Sequence, residues 1–183
     1  MTKPAHTAPV HRLALRVREI AQLFNSMDPT PFLNKDLDTE ANTFIETWAS
    51  GYPSDSRFHI TIHLELWPED GDPTEMLTSA IHNHFSYRAE QTRKALKHLL
   101  KQGRMSMAIG IVFVSLCLIA ADAINRLGTN AGYNIASQSL TIVGWVAMWR
   151  PLQIFLYDWW PLQRQIRLYK RLSTAHIQAV PGK

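Results

Sequence analysis

The sequence predicts a membrane protein: an α-helical hairpin of two transmembrane helices carrying a small cytoplasmic α/β (α+β) domain. Three observations lead there. Two apolar runs, 105–124 and 139–157, are near the ~20 residues a helix needs to cross a hydrocarbon core. Basic residues crowd the outer flanks of both runs and are scarce between them. Upstream, Arg57 to Trp67 alternates apolar and polar residues with the period of a strand. The averages hide this division, since a mean hydropathy of -0.15 mixes a very apolar third with a polar remainder. Charge is segregated too. Residues 36–75 hold ten acidic side chains against Arg57 alone, whereas 88–104 hold six basic ones against Glu90. The net charge of +4 is what survives that cancellation and does not mark a nucleic-acid binder.

Residues 1–26 form a basic N-terminal extension with no apolar core of the kind a cleavable signal needs. Leu13, Val17, Ile20, Phe24 and Met27 fall at helical spacing beside Arg12, Arg16 and Arg18. Three readings stand: a surface-lying amphipathic helix, a short docked helix or no stable element, or a translation start at Met27. Residues 27–72 read as a helix-strand unit. Asp36 or Asp38 caps a helix over 34–49 whose apolar face is Leu37, Ala41, Phe44, Ile45 and Trp48, and Gly51 to Pro53 ends it. In the strand 57–67, Phe58, Ile60, Ile62, Leu64 and Leu66 point one way, with His59, Thr61, His63 and Glu65 on the other. A lone strand leaves both edges unpaired. Either a weaker segment (31–33 or 176–180) pairs with it, or a second copy does, making His59, Thr61, His63 and Glu65 a candidate self-association surface.

Asp72-Pro73-Thr74-Glu75 opens a long basic amphipathic helix over 73–104, ending at Gly103 or running on into the membrane. The first span is 105–124, with Gly110, Ser115, Ala120 and Ala121 offering small surfaces for close helix contact and Cys117 as a packing residue. The stretch 125–138 reads as an extracytoplasmic loop, 139–157 as the second span, and 158–183 as a cytoplasmic amphipathic helix and tail. Leu162, Ile166, Tyr169 and Leu172 make its apolar stripe, to lie on headgroups or pack on the helix before the first span. Nine Lys or Arg flank the spans outside, and only Arg126 lies between them. Both termini are therefore expected in the cytoplasm of a multi-pass membrane protein, with the loop outside.

Arg150 sits ~16 Å into the second span and ~10 Å from its inner end, counting 1.5 Å per residue. A charge there is by default a functional hypothesis. Snorkelling, or a bond to the carbonyl that Pro151 leaves without a donor, explains it structurally and is the preferred reading. Asp158, eight residues on and about 80° around a regular helix, is not an obvious partner. Tyr157, Asp158, Trp159 and Trp160 with Arg150 form a membrane-interface anchor, and Trp145 and Trp149 an aromatic side.

No catalytic, cofactor or metal set emerges. His59 and His63 lie roughly 13 Å apart along one strand face, too far for one ion. His82 and His84 diverge by about 200° on a helix, so the eight histidines read as ordinary surface residues. No phosphate loop, nucleophile elbow or metal motif occurs. The run Gly144-Trp-Val-Ala-Met-Trp-Arg-Pro-Leu to Ile-Phe-Leu-Tyr-Asp-Trp-Trp-Pro161 resembles one found in uncharacterised bacterial two-span inner-membrane proteins. The similarity reaches back through Gly103-Arg-Met-Ser106 and Arg88-Ala-Glu90. It implies a bacterial origin and no activity. The expected task is that of a self-associating scaffold or partner-recruiting module touching the lipid bilayer, a cytoplasmic protein partner and other copies of itself, but no nucleic acid. The alternatives are an oligomeric channel or transport accessory and, third, a membrane-bound enzyme.

Overall fold

The computed structural model describes residues 9–25, 36–69, 71–128 and 130–182. They fall into two compact units, one drawn from Met1–Thr92 and Arg164–Lys183, the other from Arg93–Gln163. The chain is mostly helical, with one small sheet.

The first unit is built on β2 (Arg57–Leu64), the central strand of three. β1 (Val10–Val17) and β3 (His176–Pro181) pair with it in parallel, placing Leu13 beside Ile60 and Ile60 beside Ile177. Phe58, Ile60, Ile62 and Leu64 are almost completely buried. Among the described residues, helices cover that face. α1 (Thr39–Ser50) contributes Ile45 and Ala49, and the start of α2 (Thr74–Leu127) contributes Leu77, Ala80, Ile81, Phe85 and Ala89. The end of α5 (Trp159–Leu172) contributes Leu168, Tyr169 and Leu172. Asp38 caps α1 by accepting from the N–H groups of Glu40 and Ala41. Asp72 accepts from Thr74 N–H ahead of α2, and those bonds hold its carboxyl below the usual range.

Several expectations need correction. Residues 10–17 form a strand, not part of an amphipathic helix. Leu13 and Val17 suit either period, being four apart, but Leu15 lies on the far side of a helix and on the same face of a strand. Met27 lies outside the described residues, as does the candidate pairing segment 31–33. Both edges of β2 are satisfied within the chain, so a second copy cannot pair with its backbone through His59, Thr61, His63 and Glu65. The strand stops at Leu64, and Leu66 is half exposed. The tail helix turns its stripe into this unit, where the rings of Tyr169 and Phe85 stack with centroids 6.1 Å apart.

The second unit holds the end of α2, then α3 (Ala131–Ala147), α4 (Trp149–Gln153), a π-helical turn (Ile154–Asp158) and the start of α5. Gly103 does not end α2, and α3 begins at Ala131, so most of the expected loop 125–138 is helical. Two helical stretches, Thr74–Leu127 and Ala131–Leu172, are each long and apolar enough to cross a membrane. Their buried seam is narrow and small-residued. Gly103, Gly110 and Cys117 on α2, and Ser137, Gly144 and Pro151 opposite, recur every seven residues, the spacing of a coiled-coil seam. A Cβ at Gly144 would stand 3.0 Å from Cys117 Cβ, and one at Gly110 2.9 Å from Met148 Sδ. Larger residues would force the helices apart. Outside the seam, Ile109, Val112, Ile119, Ile135, Ile142 and Val146 are exposed.

Removing buried volume and altering the outer face of β2 have different consequences. Ile62→Ala is expected to cost about 2–5 kcal/mol, and Thr61→Ala to stay within about 0.5 kcal/mol. Denaturant titration of both variants, followed by the fluorescence of Trp48, checks the assignment of the two faces.

Candidate functional site

An all-parallel sheet is normally covered on both faces, and its strands then read as continuous apolar runs. These three strands alternate instead, and among the described residues one face of the sheet carries no helix. Register fixes what lies there: Arg12, His59 and His176 in one row, Ala14, Thr61 and Gln178 in the next, Arg16, His63 and Val180 in the third. Arg57 and Val10 extend it at one end. Three arginines and three histidines thus share a face on which, among these strand residues, no Asp or Glu occurs. Glu65 stands just past the end of β2, in a shallow depression with Arg16, His63, Pro181 and Gly182. The structure therefore brings His59, Thr61, His63 and Glu65 together on one side.

Sequence reasoning found the β2 part of this face and missed the rest. The His59 and His176 rings lie 4.8 Å apart, a pairing that exists only once β3 is placed beside β2. The His59 ring is held below the ordinary histidine range, first by burial, then by His176 and Arg12. Two histidines do not make a metal centre, and among the described residues no group of three or more metal-ligating side chains assembles.

Other histidines do not behave as surface residues. His84 is buried, with Asp36 Oδ1 3.0 Å from Nδ1 and Asn42 Oδ1 3.1 Å from Nε2. Leu37 N–H also points at Nδ1, at 3.3 Å. The neutral ring protonated on Nε2 donates to Asn42 and accepts from Leu37, whereas the protonated ring donates to Asp36 instead. Burial wins this contest and lowers the His84 pKa, against the pull of Asp36 and Glu46 and with a smaller push from Arg88. An Asp–His pair can orient a catalytic base, but here Asn42 takes the other nitrogen inside the core, which makes the set structural. Asn42 also donates to Glu46, which pairs with Arg88 at 3.3 Å. His82 Nε2 bonds the Ala175 carbonyl at 2.8 Å, and His11 stacks on Tyr52 with centroids 3.9 Å apart.

Arg150 has a partner after all. Its guanidinium lies 3.4 Å from Asp158. The π-helical turn at 154–158 adds one residue to the helix, so Asp158 stands where the seventh residue of a regular helix would, about 20° from Arg150 rather than 80°. Trp159 donates its indole N–H to the Phe155 carbonyl at 2.8 Å, satisfying an acceptor within that turn. Tyr157 and Trp160 are exposed.

The pH consequence follows from the His84 shift. The unfolded chain binds that proton more readily than the folded one, so the stabilising contribution is complete above the ordinary histidine pKa and is lost as pH falls through the lowered value. Hydrogen-exchange protection factors over 36–50 and 80–90, referred to the slower intrinsic exchange at low pH, should fall between pH 8 and pH 5, and His84→Gln should remove most of that fall.

No family model matches this chain, and neither a curated protein nor a solved structure does.

Proposed function

We propose that this chain is a self-associating scaffold of the bacterial inner membrane. The hairpin within 93–163 holds it in the bilayer with both termini in the cytoplasm, and the open sheet face of one copy receives an acidic surface of the next. The membrane part rests on two apolar helices that bury only a small-residue seam and expose their aliphatic side chains, on the nine-to-one distribution of flanking cations, and on the resemblance of the 144–161 motif. The observation that carries the scaffold part is the bare cationic sheet face.

The same chain supplies the complement. Glu69, Asp72 and Glu75 are exposed around the start of α2. Such a contact joins two different surfaces, so it propagates from copy to copy and builds rings or rows rather than a closed two-fold pair. Charged surfaces of this kind set register and encounter rate more than raw affinity. The channel reading has less support: among the described residues the seam of Gly103, Gly110, Cys117, Gly144 and Pro151 includes one buried polar side chain, Ser137, and Arg150 is paired with Asp158. The enzyme reading lacks, among the described residues, a reactive group beside the Asp36–His84 pair.

Sedimentation of the full-length protein in neutral detergent is the test. Oligomers are expected at low salt and should dissociate towards about 1 M salt, where screening acts within ~3 Å. Arg12→Glu with Arg16→Glu should yield monomers, as should Glu69→Lys with Glu75→Lys. Combining the two pairs should restore assembly. Monomers at low salt in the unmodified protein would refute self-association. For the anchor, cysteine labels placed at Gly132 should react only from outside sealed cells, and labels at Gln178 only after lysis.

A further inference from the structure

The hairpin unit carries a second cationic feature, unrelated to the sheet. Lys97, Lys101 and Arg104 follow one another on α2 at four and three residues, the spacing that stacks side chains on one helix face. With Leu100 and Phe155 they line an open depression of roughly 470 Å³. Gly103 makes it. A Cβ there would stand 2.8 Å from Ile154 Cγ2 and 3.2 Å from the tip of the Phe155 ring, so glycine lets that ring lie against α2 and floor the depression. The result is an apolar base walled by three cations, immediately ahead of the apolar run that begins at Met105.

The charge in this depression is not consumed locally. Residues 93–163 contain two acidic side chains, Asp122 and Asp158, and each is paired with an arginine, Arg126 at 2.8 Å and Arg150 at 3.4 Å. Among the described residues, Lys97, Lys101 and Arg104 form no ion pair. An anion with an apolar body answers both halves of the site.

We propose that Lys97, Lys101, Arg104 and Phe155 bind the headgroup of an anionic phospholipid, the phosphate held by the three cations and the first acyl carbons laid on Phe155 and Leu100. The site rests on the membrane reading above, and it gives the anchor a lipid preference that flanking charge alone does not. Basic depressions beside membrane helices on the cytoplasmic side suit such headgroups.

Native mass spectrometry of the full-length protein from neutral detergent, with added phosphatidylglycerol or phosphatidylcholine of matched chains, tests it. Phosphatidylglycerol should be retained at least tenfold more strongly. A Lys97→Ala, Lys101→Ala, Arg104→Ala variant should lose retention by roughly a hundredfold, about fivefold per cation near an anionic surface. Phe155→Ala should weaken retention with the charge unchanged, and Arg126→Ala, at the other end of the hairpin, should leave it intact. Equal retention of both lipids, or unaltered retention in the triple variant, would overturn the site. So would displacement of the lipid by millimolar inorganic phosphate, which would identify a free-phosphate site. Flotation with vesicles separates this from the anchor: a protein that floats without lipid preference loses only the site, and one that does not float loses the membrane reading itself.

Discussion

Everything in the first unit depends on satisfying the two edges of β2. A buried strand cannot leave its N–H and C=O groups without partners. Here the partners come from both ends of the chain, Val10–Val17 on one side and His176–Pro181 on the other. Both pairings are parallel, so each needs a crossover that returns the chain to the starting end of the sheet. The first crossover is α1. The second contains everything from Thr74 to Leu172, including both apolar helices. The sheet therefore closes only after the hairpin has been made.

The same constraint explains the unequal faces. Phe58, Ile60, Ile62 and Leu64 take the whole helical layer, drawn from three helices far apart in sequence. Among the described residues no helix covers the other side, which carries Arg12, Arg16, Arg57, His59, His63 and His176. A polar exterior is what an uncovered sheet face requires, since an apolar one would be left against water. Histidine is the side chain that charges between pH 5 and 8. On this face His59 takes up its proton late as pH falls, first because it is partly buried and then because His176 and Arg12 lie beside it.

Legibility in the sequence followed the physics of each element. β2 was readable because its alternation is unbroken over eight residues, and Asp38 and Asp72 because capping is local. The two apolar helices were readable from length alone. β1 was hidden by an ambiguity of period, with Leu15 as the one residue that decides it. β3 could be nominated and not aligned, so the row Arg12–His59–His176 was invisible. The buried role of His84 depends on Asp36 and Asn42, more than 40 residues away, and no spacing rule reaches that far. The tail stripe of Ile166, Tyr169 and Leu172 was correctly apolar, but which surface it covers is a tertiary fact.

Arg150 shows how a local irregularity reassigns a residue. Pro151 has no N–H, so the ladder loosens at Met148, whose N–H reaches back three residues to Trp145 rather than four. Gly110 on α2 makes room for this: Met148 Sδ, the Ala147 carbonyl and Pro151 all lie within 4 Å of where its Cβ would be. One turn later the π-helical insertion at 154–158 rotates the following residues back, bringing Asp158 under Arg150 and presenting the Phe155 carbonyl to Trp159. A regular helix would leave the guanidinium unpaired in an apolar stretch, which is the usual ground for suspecting an ion path. The proline and the insertion together turn it into half of a pair. The same insertion sets Phe155 against Gly103, so one departure from α-helical geometry both neutralises the charge inside the apolar run and shapes the basic depression at its edge.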